Sequence, residues 1–64
     1  MTIGQNIRRI RREKGITQWQ LSSAIDVSPA TILLIERGVR DCDREMVKQI
    51  AKALGVPEHR LHEK

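Results

Sequence analysis

Thr17 and Gln18 are the residues at which side-chain chemistry and helix geometry most plainly combine. A threonine followed three positions later by a glutamine, Gln20, marks a helix start. Such a start points unpaired N–H groups at whatever anion lies in front of it. Gln18 adds an amide donor there, so Thr17 and Gln18 form a candidate phosphate clamp, against the plainer reading of an ordinary solvated helix end. Charge placement points the same way. Arg8, Arg9, Arg11, Arg12 and Lys14 fall within one short segment of a chain whose net charge is +4, while the C-terminal half nearly balances its charges. A local basic field steers a protein toward phosphate-rich partners, although Arg8, Arg9 and Arg12 also read as solvated helix surface.

Other reactive side chains form no constellation. His59 and His62 are three residues apart, but no carboxylate, histidine and cysteine set accompanies them. Cys42 is the sole cysteine, so it makes no internal disulfide and starts no zinc-ligand set. No glycine-rich phosphate loop follows a strand, and no nucleophile is paired with a base and an orienting group. The expectation is a protein that is not an enzyme and carries no cofactor or metal. No apolar run approaches the roughly 20 residues that span a bilayer, and no charged segment leads into an apolar stretch as in a signal peptide, so a cytoplasmic protein is the default expectation.

The elements that position these residues follow from local signals. With 64 residues and a single aromatic, Trp19, the chain has material for one core, best built by short amphipathic helices. One domain over 1–64 is expected. Thr2 with Gln5 predicts a helix carrying Ile3, Ile7 and Ile10 inward and leaving at Gly15. Thr17 with Gln20 starts a second, short helix with Leu21, Ala24 and Ile25, ended by the turn around Asp26. Ser28 caps and Pro29 opens a third that stops at Gly38. A fourth begins after Asp43, buries Val47, Ile50, Ala51 and Leu54, and stops at Gly55. After Pro57 a short turn or helix returns Leu61 to the core. The architecture expected is all-α, with five helices.

Leu21, Ile25, Val27, Ile32 and Ile35 converge only if the second and third helices fold over a sharp corner, so Thr17 to Gly38 is a helix-turn-helix. Around it stand Ile3-Gly4-Gln5-Asn6-Ile7-Arg8-Arg9-Ile10-Arg11, Gly15-Ile16-Thr17-Gln18, Val27-Ser28, Thr31-Ile32, Ile35-Glu36-Arg37-Gly38 and Ile50-Ala51-Lys52-Ala53-Leu54-Gly55-Val56. In order and spacing this resembles the Cro and phage-repressor family, also called the XRE family. The resemblance implies a repressor-like fold and a sequence-specific transcriptional regulator that occupies a double-stranded DNA operator as a two-fold homodimer. It further implies phosphate contacts from Gln18 and its neighbouring backbone, a major-groove face made by Pro29, Ala30, Leu33 and Leu34, and a structural ion pair between Arg11 and Glu36.

The residues themselves qualify that picture. Arginine, lysine, asparagine and glutamine read base edges well, whereas Pro29, Ala30, Leu33 and Leu34 carry none of that chemistry. Ala30 or Leu33 can contact thymine methyl groups, or the exposed leucines can serve as scaffold or a protein-binding surface. Thr31 is either a polar contributor or partly buried, and Pro29 reads first as a helix starter. Arg37 can reach phosphate or a base edge, as can Arg40. Arg40 and Arg44 read as phosphate contacts or solvated charge, in a neighbourhood weakened by Asp41, Asp43 and Glu45. Trp19 packs on sugar-phosphate, docks a protein or covers a local gap. Trp19, Leu33 and Leu34 together would make a protein-binding patch, and the alternative function is therefore an antitoxin or regulatory adaptor. A homodimer meeting through the C-terminal segment, with Val56, Leu61 and nearby residues of the fourth helix, and a monomer that dimerises weakly on DNA are equally compatible with the sequence. Three departures from the family pattern matter less for the fold than for its precision: Ser22 replaces a common alanine, Asp26 a turn glycine, and Arg44 a frequently apolar residue.

Overall fold

Each α-helix begins where a side chain satisfies a backbone N–H that the helix itself leaves unpaired. The computed structural model describes all 64 residues, and four α-helices account for most of them: α1 Ile3–Glu13, α2 Gln18–Ala24, α3 Pro29–Glu36 and α4 Arg44–Leu54. The Thr2 hydroxyl accepts from the Gln5 N–H at 3.1 Å while the Gln5 side chain accepts from the Thr2 N–H at 2.9 Å. Thr17 and Gln20 repeat this reciprocal cap at 3.0 and 2.9 Å. Ser28 and Asp43 cap α3 and α4 through the N–H groups of Thr31 and Met46. The fifth expected helix is a 3-10 helix, Glu58–His62, so the α-helix count is four. Pro57 precedes it without a side-chain cap, and five residues give too little length for an α-helical ladder.

The core draws on every element. Ile7 and Ile10 of α1, Leu21 of α2, Ile32 and Ile35 of α3, Val47, Ile50, Ala51 and Leu54 of α4, and Leu61 are all buried. Ile16, Ile25, Val27 and Val56 pack against this cluster from the connections. Because Leu61 is wholly buried within the chain, it is not available to the dimer interface suggested by the sequence. The α2–α3 corner passes through Asp26 at φ 60°, the one residue other than glycine in the left-handed region. Ser22, buried beneath that corner, donates from its hydroxyl to the Trp19 carbonyl at 2.8 Å, which is how a polar residue fits there.

Two residues in α1 fix the rest of the molecule around it. A Cβ on Gly4 would collide with the Ile35 carbonyl oxygen, so the absence of a side chain lets the start of α1 lie directly on the end of α3. Asn6 is fully buried and donates through Nδ2 to the carbonyls of Leu61 at 2.9 Å and Glu63 at 2.6 Å. Those bonds hold the 3-10 helix against α1.

Candidate nucleic-acid interface

Three helices meet at one carboxylate. Glu36, at the last position of α3, is buried and accepts from Arg11 of α1 through Nε at 2.7 Å and a terminal guanidinium nitrogen at 3.2 Å. The remaining terminal nitrogen of Arg11 donates to the Ile16 carbonyl at 2.8 Å. This two-bonded geometry suits a planar guanidinium and fixes the angle between α1 and α3. From α2, the Gln18 amide Nε2 donates to the same carboxylate at 3.1 Å. Gln18 is therefore held by Glu36 instead of extending freely into solvent.

A concavity of ≈ 390 Å³ opens over this junction, lined by Arg8, Arg11, Arg12, Thr17, Gln18, Leu33, Glu36 and Arg37. Four guanidinium groups and one carboxylate make it strongly positive. The Thr17 hydroxyl accepts the capping N–H of Gln20 and keeps its own proton to donate outward. The surface suits an extended anion with several oxygens, such as a nucleic-acid backbone. Arg8 and Arg12 belong to it because they lie three and one residues from Arg11 and four from each other, on one side of α1. That spacing was readable in the sequence, but only the position of α2 and α3 shows that the side faces Gln18.

Outside the concavity, α3 presents Pro29 and Ala30 exposed and Leu34 at 37% exposure, while Leu33, at the concavity's edge, is half-buried. The two leucines thus differ: Leu33 tucks toward the arginines and is less exposed than its sequence suggests, and only Leu34 counts among the exposed large apolar side chains. Thr31 is buried, with its hydroxyl 3.0 Å from that of Ser28 and 3.5 Å from a terminal nitrogen of Arg40. Arg40 consequently lies along the opposite side of α3 from Leu33 and Arg37. Arg44 is grouped with Ile3, Cys42, Val47, Glu58 and His62 around another hollow, and does not join Gln18. Trp19 is 68% exposed, yet it does not border the concavity that Leu33 lines.

The other titratable groups form no site. Burial, then the nearby Asp43 carboxylate, pushes the Cys42 thiol up to about 11, which keeps it protonated and a poor nucleophile at neutral pH. No three histidine, cysteine or acidic side chains converge as a metal ion would require. No helix is long and apolar enough to cross a membrane.

The family described as helix-turn-helix matches residues 7–61. The uncharacterized HTH-type transcriptional regulator y4dJ of Sinorhizobium fredii (strain NBRC 101917 / NGR234) is 37% identical over 54 residues, covering 84% of this chain and 70% of that protein. The immunity repressor protein of Bacillus phage phi105 is 36% identical over 56 residues, 88% of this chain but 39% of the phage protein. The crystal structure of the clp gene regulator ClgR from C. glutamicum superposes with a TM-score of 0.91 at 30% identity, over 94% of this chain and 78% of that one. The α2–α3 corner and the helices that brace it are thus shared across nearly the whole length, and the chain belongs to the helix-turn-helix family of Cro- and repressor-like DNA-binding regulators.

Proposed function

We propose that this protein represses transcription by occupying a double-stranded DNA operator, with α3 in the major groove and the α1–α2 concavity against the adjoining backbone. The observation that carries the reading is the convergence of Gln18 and four arginines on one positive surface beside the exposed side of α3. Gln18, Thr17, Arg8 and Arg12 grip phosphate, and Arg40 takes a phosphate on the other side of α3. Arg44 borders a different hollow and is left out of this phosphate-gripping group. Pro29, Ala30, Leu33, Leu34 and Arg37 meet the base edges. A relative named as an immunity repressor supports repression in preference to activation. The protein works in the cytoplasm on DNA as a homodimer, whose recognition helices lie about 34 Å apart, one turn of the duplex.

The test is titration of a random-sequence duplex pool and of duplexes selected from it, at several salt concentrations, with complex stoichiometry measured on the selected site. Two chains per site and binding that weakens steeply with salt are expected. A folded protein that binds no duplex at low salt would refute the proposal. The protein-adaptor alternative required Trp19, Leu33 and Leu34 to act as one patch. Leu33 lines the arginine concavity and Trp19 does not, so the geometry favours DNA for the α3 surface.

A further inference from the structure

We propose that the outward strip of α3 reads the C5-methyl groups of pyrimidines in the major groove: thymine in unmodified DNA, and 5-methylcytosine wherever it occupies the same position. This rests on the DNA-binding reading above and specifies what the bound face recognises.

The polar side chains of α3 and its cap are all engaged within the protein. The Ser28 hydroxyl accepts the Thr31 N–H and lies against the Thr31 hydroxyl. Thr31 is buried, and Arg40 also approaches its hydroxyl. Glu36 is buried between Arg11 and Gln18. At about 100° per residue, Leu33, Ala30 and Leu34 follow one another around the surface left over, with Pro29 at the N-terminal end of this arc and Arg37, which falls between Leu33 and Ala30 in angle, at its C-terminal end. Between Ser28 and Arg37 this strip holds no side-chain donor or acceptor.

Purine N7, guanine O6, adenine N6 and cytosine N4 each require a hydrogen-bonding partner to be discriminated. An apolar strip offers none, and the groove feature that matches it is the methyl group at pyrimidine C5. Ala30 allows close approach at the centre of the strip, and Leu33 and Leu34 flank the position a methyl would take. Charge selects the occupant. Arg8, Arg12 and Arg37 border Leu33, so the surface that meets this strip must be anionic around an apolar contact, as a thymine-bearing groove between its phosphates is.

The experiment uses a duplex enriched from a random pool by the intact protein, remade with deoxyuridine in place of thymidine at each position in turn. Affinity should fall about fourfold for each contacted methyl lost, the equivalent of about 0.8 kcal/mol per buried carbon group. At such a position 5-methylcytosine paired with guanine should bind better than unmethylated cytosine by a similar factor. Leu33→Ala and, as the more exposed variant, Leu34→Ala should move the thymidine-to-deoxyuridine affinity ratio toward one. An enriched duplex that binds equally well with deoxyuridine throughout would overturn the methyl reading and leave DNA binding intact. Failure to bind any duplex would overturn both.

Discussion

The Gln18 amide donates to the Glu36 carboxylate across 3.1 Å, so the residue at the start of α2 is oriented by the residue at the end of α3. Glu36 also neutralises Arg11, and the two partners depend on it differently. Replacing Glu36 by glutamine leaves the Arg11 guanidinium buried without a counter-charge and should cost about 3 kcal/mol of unfolding free energy. Gln18→Ala removes one partly buried hydrogen bond, about 1 kcal/mol, but should weaken duplex binding about tenfold by removing a phosphate donor. Urea denaturation and duplex titration separate the effects. If Gln18→Ala destabilised the fold as much as Glu36→Gln and left binding unchanged, Gln18 would be structural only.

Gly4 supports the same junction from the other side. Its missing side chain is what lets α1 rest on the Ile35 and Glu36 carbonyls. Gly4→Ala should therefore destabilise by about 2 kcal/mol through overpacking, although alanine favours a helix interior over glycine by up to about 1 kcal/mol. Displacing α1 also moves Arg11 relative to Glu36. Thermal unfolding of Gly4→Ala alone and combined with Arg11→Met should thus give non-additive losses. Equal or higher stability in Gly4→Ala would contradict the close contact.

Features made by contacts within a few residues were the ones legible in the sequence. Helix starts were legible because a cap is a local event: Thr2 with Gln5, Thr17 with Gln20, and Ser28 before Pro29 each satisfy N–H groups within three residues. The apolar positions of α1 and α4 were legible through their period. What remained hidden depends on contacts between distant segments. Asn6 looks like a surface residue until Leu61 and Glu63 return to it, 55 and 57 residues later. Gly4 reads as a weak helix former until α3 is laid on it. Arg8 and Arg12 acquire a direction only once α2 is placed, and Leu33 loses exposure for the same reason. In α3 the apolar residues nearly surround the helix, so periodicity could not show how far each one was covered.

Asp26 carries a conformational cost that is separable from recognition. At φ 60° an aspartate is held in the left-handed region that glycine enters without penalty. Asp26→Gly should raise stability by about 0.5–1 kcal/mol, the relief of left-handed strain partly offset by glycine's greater freedom when unfolded. Asp26→Val, β-branched at the same φ, should lower stability. Duplex affinity should stay within about twofold for the glycine variant, because Asp26 is exposed and does not line the arginine concavity. A destabilised Asp26→Gly would show that the carboxylate contributes more to the turn than its backbone costs.

The arginines can be sorted by how salt affects their loss. Each phosphate neutralised by a cationic side chain releases condensed counterions, contributing about 0.9 to the slope of log affinity against log salt on duplex DNA. Arg8 and Arg12 border the concavity with Gln18, so Arg8→Ala and Arg12→Ala should each flatten that slope by about 0.9 per bound domain. They should weaken all duplexes nearly uniformly and leave the selected sequence unchanged, because phosphate contacts carry no base information. Arg37, at the C-terminal end of the apolar strip, should change the preferred sequence if it meets a base edge, and the slope alone if it meets phosphate. Arg44, beside Cys42 and His62, serves as the internal comparison: Arg44→Ala should leave the slope near its original value. A larger change for Arg44 than for Arg8 and Arg12 would mean that the backbone runs past the N-terminus of α4, and the concavity over Glu36 would lose its assigned role.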